Sequence, residues 1–204
     1  MNRRRLLTSL VLVAAAFIWA GTVAAAYRAI RLFEATPGES ANAPRAWPAS
    51  SRIARTPDEW SLVMLVHPHC SCSRASVQEL QAVLDKAPQH LRTYVLVYRP
   101  DNVATGWERT QVVENATKLR RASVIIDENG AEADRFGGFT SGQTFLYDDD
   151  GRLRFAGGIT SLRGHSGINS GRTGIIDIVR TRIGDGSHPV FGCAIAKREE
   201  RAKP

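Results

Sequence analysis

Residues 61–86, SLVMLVHPHCSCSRASVQELQAVLDK, constrain the fold more than any other stretch of the chain. Ser61 to Val66 is a short, nearly continuous apolar run, the pattern of a strand buried on both faces. His67-Pro68-His69 stops it, because proline cannot continue a ladder and drives the residue before it towards extended geometry. Cys70 and Cys72 follow. Val77, Leu80, Val83 and Leu84 then recur at three- and four-residue spacing, which predicts a helix with one apolar stripe. Two cysteines therefore stand where a buried strand hands over to a helix N-terminus. Unpaired backbone N–H groups and the positive end of the helix dipole meet there, and both favour a thiolate over a thiol.

The remaining chain reads in the same alternation. Leu91 to Tyr98 is a second strand, rich in β-branched and aromatic residues. A helix is expected over Trp107–Ala116, a third strand over Ser123–Asp127, a short helix over Gly130–Phe136 and a fourth strand over Gln143–Tyr147. Asp148-Asp149-Asp150-Gly151 predicts a hairpin into Arg152–Ala156. A glycine-rich loop follows, with Asn169, Ser170 and Gly171 placed to cap a last amphipathic helix over Thr173–Ile183. This order makes the fold class α/β, a mixed sheet with helices on both faces.

Outside that domain, Met1 to Arg5 is a basic n-region, and Leu6 to Ala26 runs 21 residues without a charge. That length suits a transmembrane anchor; Ala24-Ala25-Ala26 leaves a cleaved signal segment as the competing reading. Either way the following domain is expected on the outer, periplasmic side of the inner membrane. Residues 27–59 hold four prolines and many small residues and read as a flexible linker; residues 186–204 read as a C-terminal extension. The net charge of +7 lies partly in the two tails. No stretch interleaves clustered Lys/Arg with aromatics, and no nucleic-acid signature is present, so no nucleic-acid partner is expected. Three cysteines are too few for a disulfide scaffold.

A strand, paired cysteines at the turn and an amphipathic helix open the thioredoxin-like fold, and residues 60–185 resemble that superfamily. Within it the chain is most similar to membrane-tethered bacterial RedB-type proteins. The residues that carry this are HPHCSCSRAS, LYDDDG, GGIT with RGHSG, and PVFGC. The resemblance implies thiol–disulfide oxidoreductase activity on protein thiols or disulfides, with no cofactor. It departs from the family in two places. Thioredoxins carry C-x-x-C, whereas Cys70-Ser71-Cys72 is C-x-C. The position of their cis-proline falls on Gln143, and a cis bond before a non-proline residue costs about 3 kcal/mol, so a trans peptide is expected.

Two chemistries suit the cysteine pair. In the first, Cys70, expected to be the more exposed at the helix mouth, attacks as thiolate and Cys72 resolves the mixed disulfide. His67, His69 and Arg74 would lower the thiol pKa values. In the second, Cys70, Cys72 and His165, from the glycine-rich loop 158–174, hold copper or zinc. Cys193 is either an isolated thiol on the extension or a third group folded back onto the pair.

Overall fold

A computed structural model describes residues 3–56, 58–88 and 90–196. The chain divides into two units, residues 1–36 and 37–204. The first is a single helix, α1 (Arg3–Ala35), whose apolar stretch Leu7–Ala35 has the length and composition to cross a membrane or to serve as a signal segment. At 1.5 Å per residue those 29 residues span about 43 Å, more than a bilayer's hydrocarbon core.

The second unit is the expected mixed sheet. Its elements are β1 (Trp60–Val66), α2 (Ser73–Lys86), β2 (Leu91–Arg99), α3 (Gln111–Thr117), β3 (Ala122–Glu128), α4 (Ala131–Arg135), β4 (Thr144–Tyr147), β5 (Leu153–Gly157), α5 (Ser170–Thr181) and β6 (Gly186–His188). The strand order is β3-β2-β1-β4-β5-β6. β1, β2 and β3 run parallel, β4 is antiparallel to both β1 and β5, and β6 lies parallel to β5. This is the thioredoxin-like arrangement. The cysteine-bearing turn leaves the C-terminal end of β1, a central strand.

All seven residues of β1 are buried, which explains why it reads as an unbroken apolar run. Leu62, Met64 and Val66 join Leu80, Leu84 and Ile175 on the face covered by α2 and α5. Val63 and Leu65 join Phe136, Phe145 and Tyr147 on the other face. Each such side chain contributes about 1.5–3 kcal/mol by leaving water. The expected hairpin forms, with Gly151 N donating to Asp148 O at 2.9 Å and Gly151 at φ 79°, a conformation a side chain would resist.

Three boundaries depart from expectation. The segment read as a linker is not a tether from Pro37 onward: it is part of the domain. Ile53 is buried, and Trp47 packs edge-on against Phe136 (4.9 Å) and Tyr147 (5.3 Å). Its backbone is hydrogen-bonded to the sheet and loops: Trp47 N donates to Gly151 O at 2.8 Å, Leu153 N to Arg45 O at 2.8 Å, and Tyr94 Oη to Ala54 O at 3.0 Å. Proline-rich composition here marks extended strapping, not flexibility. The helix expected from Trp107 begins at Gln111, because Trp107 is drawn into an aromatic cluster with His67, His69 and Tyr98. The C-terminal extension supplies β6, and Val190, Phe191 and Ile195 are buried. The basic tail from residue 197 onward lies outside the described residues.

A three-cysteine site at the strand-to-helix turn

Local hydrogen bonds set the turn. Cys70 N donates to His67 O (3.0 Å), Ser73 N to Cys70 O (3.0 Å) and Ala75 N to Cys72 O (3.1 Å). Cys72 is the N-cap of α2, already helical at φ −66° and ψ −26°, and its side chain makes no capping bond. The turn is tied to the loop before β4 through Ser141. The Ser141 hydroxyl accepts from His67 N at 2.8 Å and shares a 2.7 Å hydrogen bond with the Ser73 hydroxyl.

The same loop delivers the third cysteine. Ser141 N donates to Cys193 O at 2.8 Å, Ile195 N donates to Phe139 O at 2.8 Å, and Thr140 and Ala194 form an antiparallel bridge between them. Gly192 allows the approach: a Cβ there would collide with Ser141 O. The Arg163 guanidinium, from the glycine-rich loop, donates to Gly192 O. Cys193 Sγ thereby reaches 2.8 Å from Cys70 Sγ, and the sulfurs of Cys70, Cys72 and Cys193 all lie within 4.8 Å of one another.

The electrostatics separate the three thiols. Cys70 is held down to about 5, first by the hydrogen bond from the Cys193 thiol and further by those from Ser73 and the backbone of Cys193 and Cys72, against an opposing effect of burial. Burial, followed by the charge on Cys70, pushes Cys72 up, while the Arg163 charge opposes this. Cys193 is raised chiefly because its proton is the one donated to Cys70. Of the three thiols, Cys70 is the one whose surroundings favour the thiolate.

Exposure reverses the expected order. Cys70 is expected to be the open thiol, yet it is 3% exposed and Cys72 is 8% exposed, while Cys193 is the least buried of the three. The docked segment 190–196 covers Cys70. The other expected residues are placed as follows. His67 stacks on Tyr98 at 5.5 Å, with its Nδ1 accepting from His69 N at 3.2 Å, and His69 lies against Trp107 with Nε2 2.9 Å from Trp107 O. Arg74 is exposed on α2. The groups with the largest side-chain effects on the thiols include Cys193, Ser73, Ser71 and Arg163. His165 Nδ1 lies 2.9 Å from Arg163 O, and His165 is outside the sulfur group. Among the described residues, the grouping of possible metal ligands is Cys70, Cys72 and Cys193.

Asn169 caps α5 as expected, its side chain accepting from Arg172 N at 2.9 Å. The loop it ends is clasped by buried Glu79 of α2, which accepts from Gly167 N (2.6 Å) and pairs with Arg172 (2.8 Å). The 142–143 peptide is trans, since no cis bond is present among the described residues, and Gln143 O accepts from Leu65 N at 2.9 Å. Sequence reasoning gave Cys193 no decided role. The signal was there in Gly192 beside an odd third cysteine, but only a fold that seats 190–196 against 139–141 shows what it meets.

No protein-family model matches the chain, and no curated protein matches it in sequence. Solved structures do match. A hypothetical protein of Sinorhizobium meliloti is similar at 19% identity and TM-score 0.57, over 78% of this chain and 93% of that one. An uncharacterized conserved protein from Geobacillus kaustophilus is similar at 16% identity and TM-score 0.53, over 80% and 93%. A secreted Mycobacterium tuberculosis disulfide oxidoreductase is more distant, at 12% identity and TM-score 0.42, over 61% and 83%. The first two likenesses establish a shared fold and carry no activity with them.

Proposed function

We propose that the chain is a thiol–disulfide oxidoreductase of RedB type, held by α1 at the outer face of the inner membrane and acting on protein thiols or disulfides without a cofactor. The observation that carries this is the Cys70–Cys193 contact: two sulfurs 2.8 Å apart at a strand-to-helix turn, with Cys72 beside them. An ionised sulfur is the nucleophile and the good leaving group of disulfide exchange, and a neighbouring thiol completes the two-electron couple. The turn supplies the donors that keep Cys70 ionised; the C-terminal segment supplies its partner. The test is exchange between the reduced full-length protein in detergent and oxidised glutathione. Cys70→Ser is expected to abolish formation of the intrachain disulfide, and wild-type exchange without Cys70 would overturn the reading.

The three-sulfur grouping favours a second reading. Three cysteine ligands within 4.8 Å and no histidine among them suit Cu(I), whereas zinc takes four ligands in structural sites. Anaerobic titration of the reduced protein with Cu(I) against a competing chelator decides it. One tightly held equivalent lost in Cys193→Ala supports the copper site. Binding that persists in that variant refutes the three-sulfur set.

A further inference from the structure

Cys193 is the least buried residue of the sulfur cluster, whereas Cys70 and Cys72 are buried. Their Sγ atoms are 2.8 Å apart. A disulfide needs about 2.05 Å, so a movement of under about 1 Å joins them. Cys70 and Cys72 are worse placed for each other. Both carbonyls accept hydrogen bonds from the first turn, Cys70 O from Ser73 N and Cys72 O from Ala75 N. Their sulfurs also lie within 4.8 Å, but a bond across one intervening residue closes a very small ring and distorts the turn that these hydrogen bonds hold. The segment bearing Cys193 is held rather than swinging: its backbone is bonded to residues 139–141 at Cys193 and just after it, at Ala194 and Ile195.

The geometry points to a disulfide donor: the working bond is Cys70–Cys193, and a protein dithiol substrate meets it at Cys193. This rests on the exchange reading above and adds the couple, the point of contact and the direction of electron flow. A substrate thiolate attacks Cys193 Sγ. The Cys193–Cys70 bond breaks, and its electron pair stays on Cys70 Sγ, which leaves as a thiolate beside the Ser73 hydroxyl. The second substrate thiol gives its proton to solvent and attacks the substrate sulfur of the mixed disulfide. Cys193 departs and takes up a proton. Two electrons have then passed from the substrate dithiol to the protein, and the substrate carries the new disulfide. An external disulfide reverses both steps on the protein and restores the bond. The polarity follows from exposure and stabilisation together. The attacked sulfur must be accessible, and the sulfur that leaves does so faster the better its anion is held. Cys193 meets the first requirement and Cys70 the second.

The test oxidises the full-length protein in detergent with oxidised glutathione, maps its disulfides by peptide mass spectrometry, and then adds limiting reduced glutathione. The expected map joins Cys70 to Cys193, and the mixed disulfide that follows carries glutathione on Cys193 with Cys70 free. A map joining Cys70 to Cys72, or glutathione on Cys70, overturns the inference while leaving thiol–disulfide exchange intact. If no cysteine is oxidised at all, the exchange reading itself has failed. Cys193→Ser is expected to slow transfer of the disulfide to a two-cysteine peptide at least tenfold. Transfer at the wild-type rate in that variant also overturns the inference.

Discussion

Removing the Cys193 thiol should raise the pH at which Cys70 becomes reactive. In the folded protein Cys70 is held down to about 5, against 9.0 for an ordinary thiol, and the first cause is the hydrogen bond from Cys193. Below about 5 Cys70 is protonated and inert; above it the thiolate dominates, so reactivity should rise through that pH and then level off. Rate at neutral pH is a poor readout. At pH 7 the thiolate fraction exceeds that of an ordinary thiol by about 100-fold, but with a Brønsted slope near 0.45 a fall of about four in pKa lowers intrinsic nucleophilicity about 60-fold. The two nearly cancel. At pH 5.5 the fraction is greater by about 2,000-fold, which leaves a net advantage of about 40-fold. Alkylation of Cys70 by iodoacetamide, followed by peptide mass spectrometry from pH 4 to 10, therefore separates the cases on the acid side. Wild type should show a midpoint near 5. Cys193→Ala should shift the midpoint upward and lower the rate at pH 5.5, relative to that variant's own high-pH plateau, at least several-fold. A midpoint unchanged by the substitution would mean that Ser73 and the backbone donors suffice, and the proton-sharing argument would be wrong.

Gly192→Ala should reproduce much of that shift without touching a sulfur, because the added Cβ meets Ser141 O and lifts Cys193 away; the same alkylation profile checks it. Glu79→Ala should destabilise the domain by about 3 kcal/mol in urea unfolding, since it leaves Arg172 and Gly167 N without their buried carboxylate. Glu79→Gln, which still accepts from Gly167 N, should lose less. Ile53→Ala should lower stability by roughly 2–4 kcal/mol; no measurable change would restore the linker reading of residues 37–59. Arg163→Gln should raise the pH at which Cys72 is alkylated, because the guanidinium charge favours its thiolate.

The sheet was legible because each strand announces itself locally. Ser61–Val66 and Leu91–Tyr98 are buried runs between breakers, and Asp150-Gly151 dictates a hairpin whatever surrounds it. The strapping by residues 37–59 was not legible, because proline-rich composition serves a tether and an extended wrap equally. What separates them is whether Trp47 and Ile53 find a pocket, and Phe136, Tyr94 and Tyr147 that form it come from distant strands and helices. The cysteine turn was legible as a site, since strand, breaker, thiols and helix are contiguous. Its tuning was not. His67, His69 and Arg74 are neighbours in sequence, but the side chains follow the aromatic cluster and the solvent, whereas Cys193, 123 positions from Cys70, is brought in by the Ser141 loop.

That long-range delivery also decides which of three chemically identical groups is the nucleophile. The Cys193 thiol and the turn's donors all favour the thiolate of Cys70, and ionising Cys70 raises both other thiols through its charge. Each effect strengthens the next: a protonated Cys193 is a donor to Cys70, and an anionic Cys70 keeps Cys193 protonated. A pair of Cys70 and Cys72 alone would lack the Cys193 donor, the largest of the effects that hold Cys70 ionised. The C-x-C motif thus supplies the sulfur and the turn. The docked C-terminal segment makes one sulfur different from the others, and a variant that undocks it should lose selectivity among the three thiols before it loses the fold.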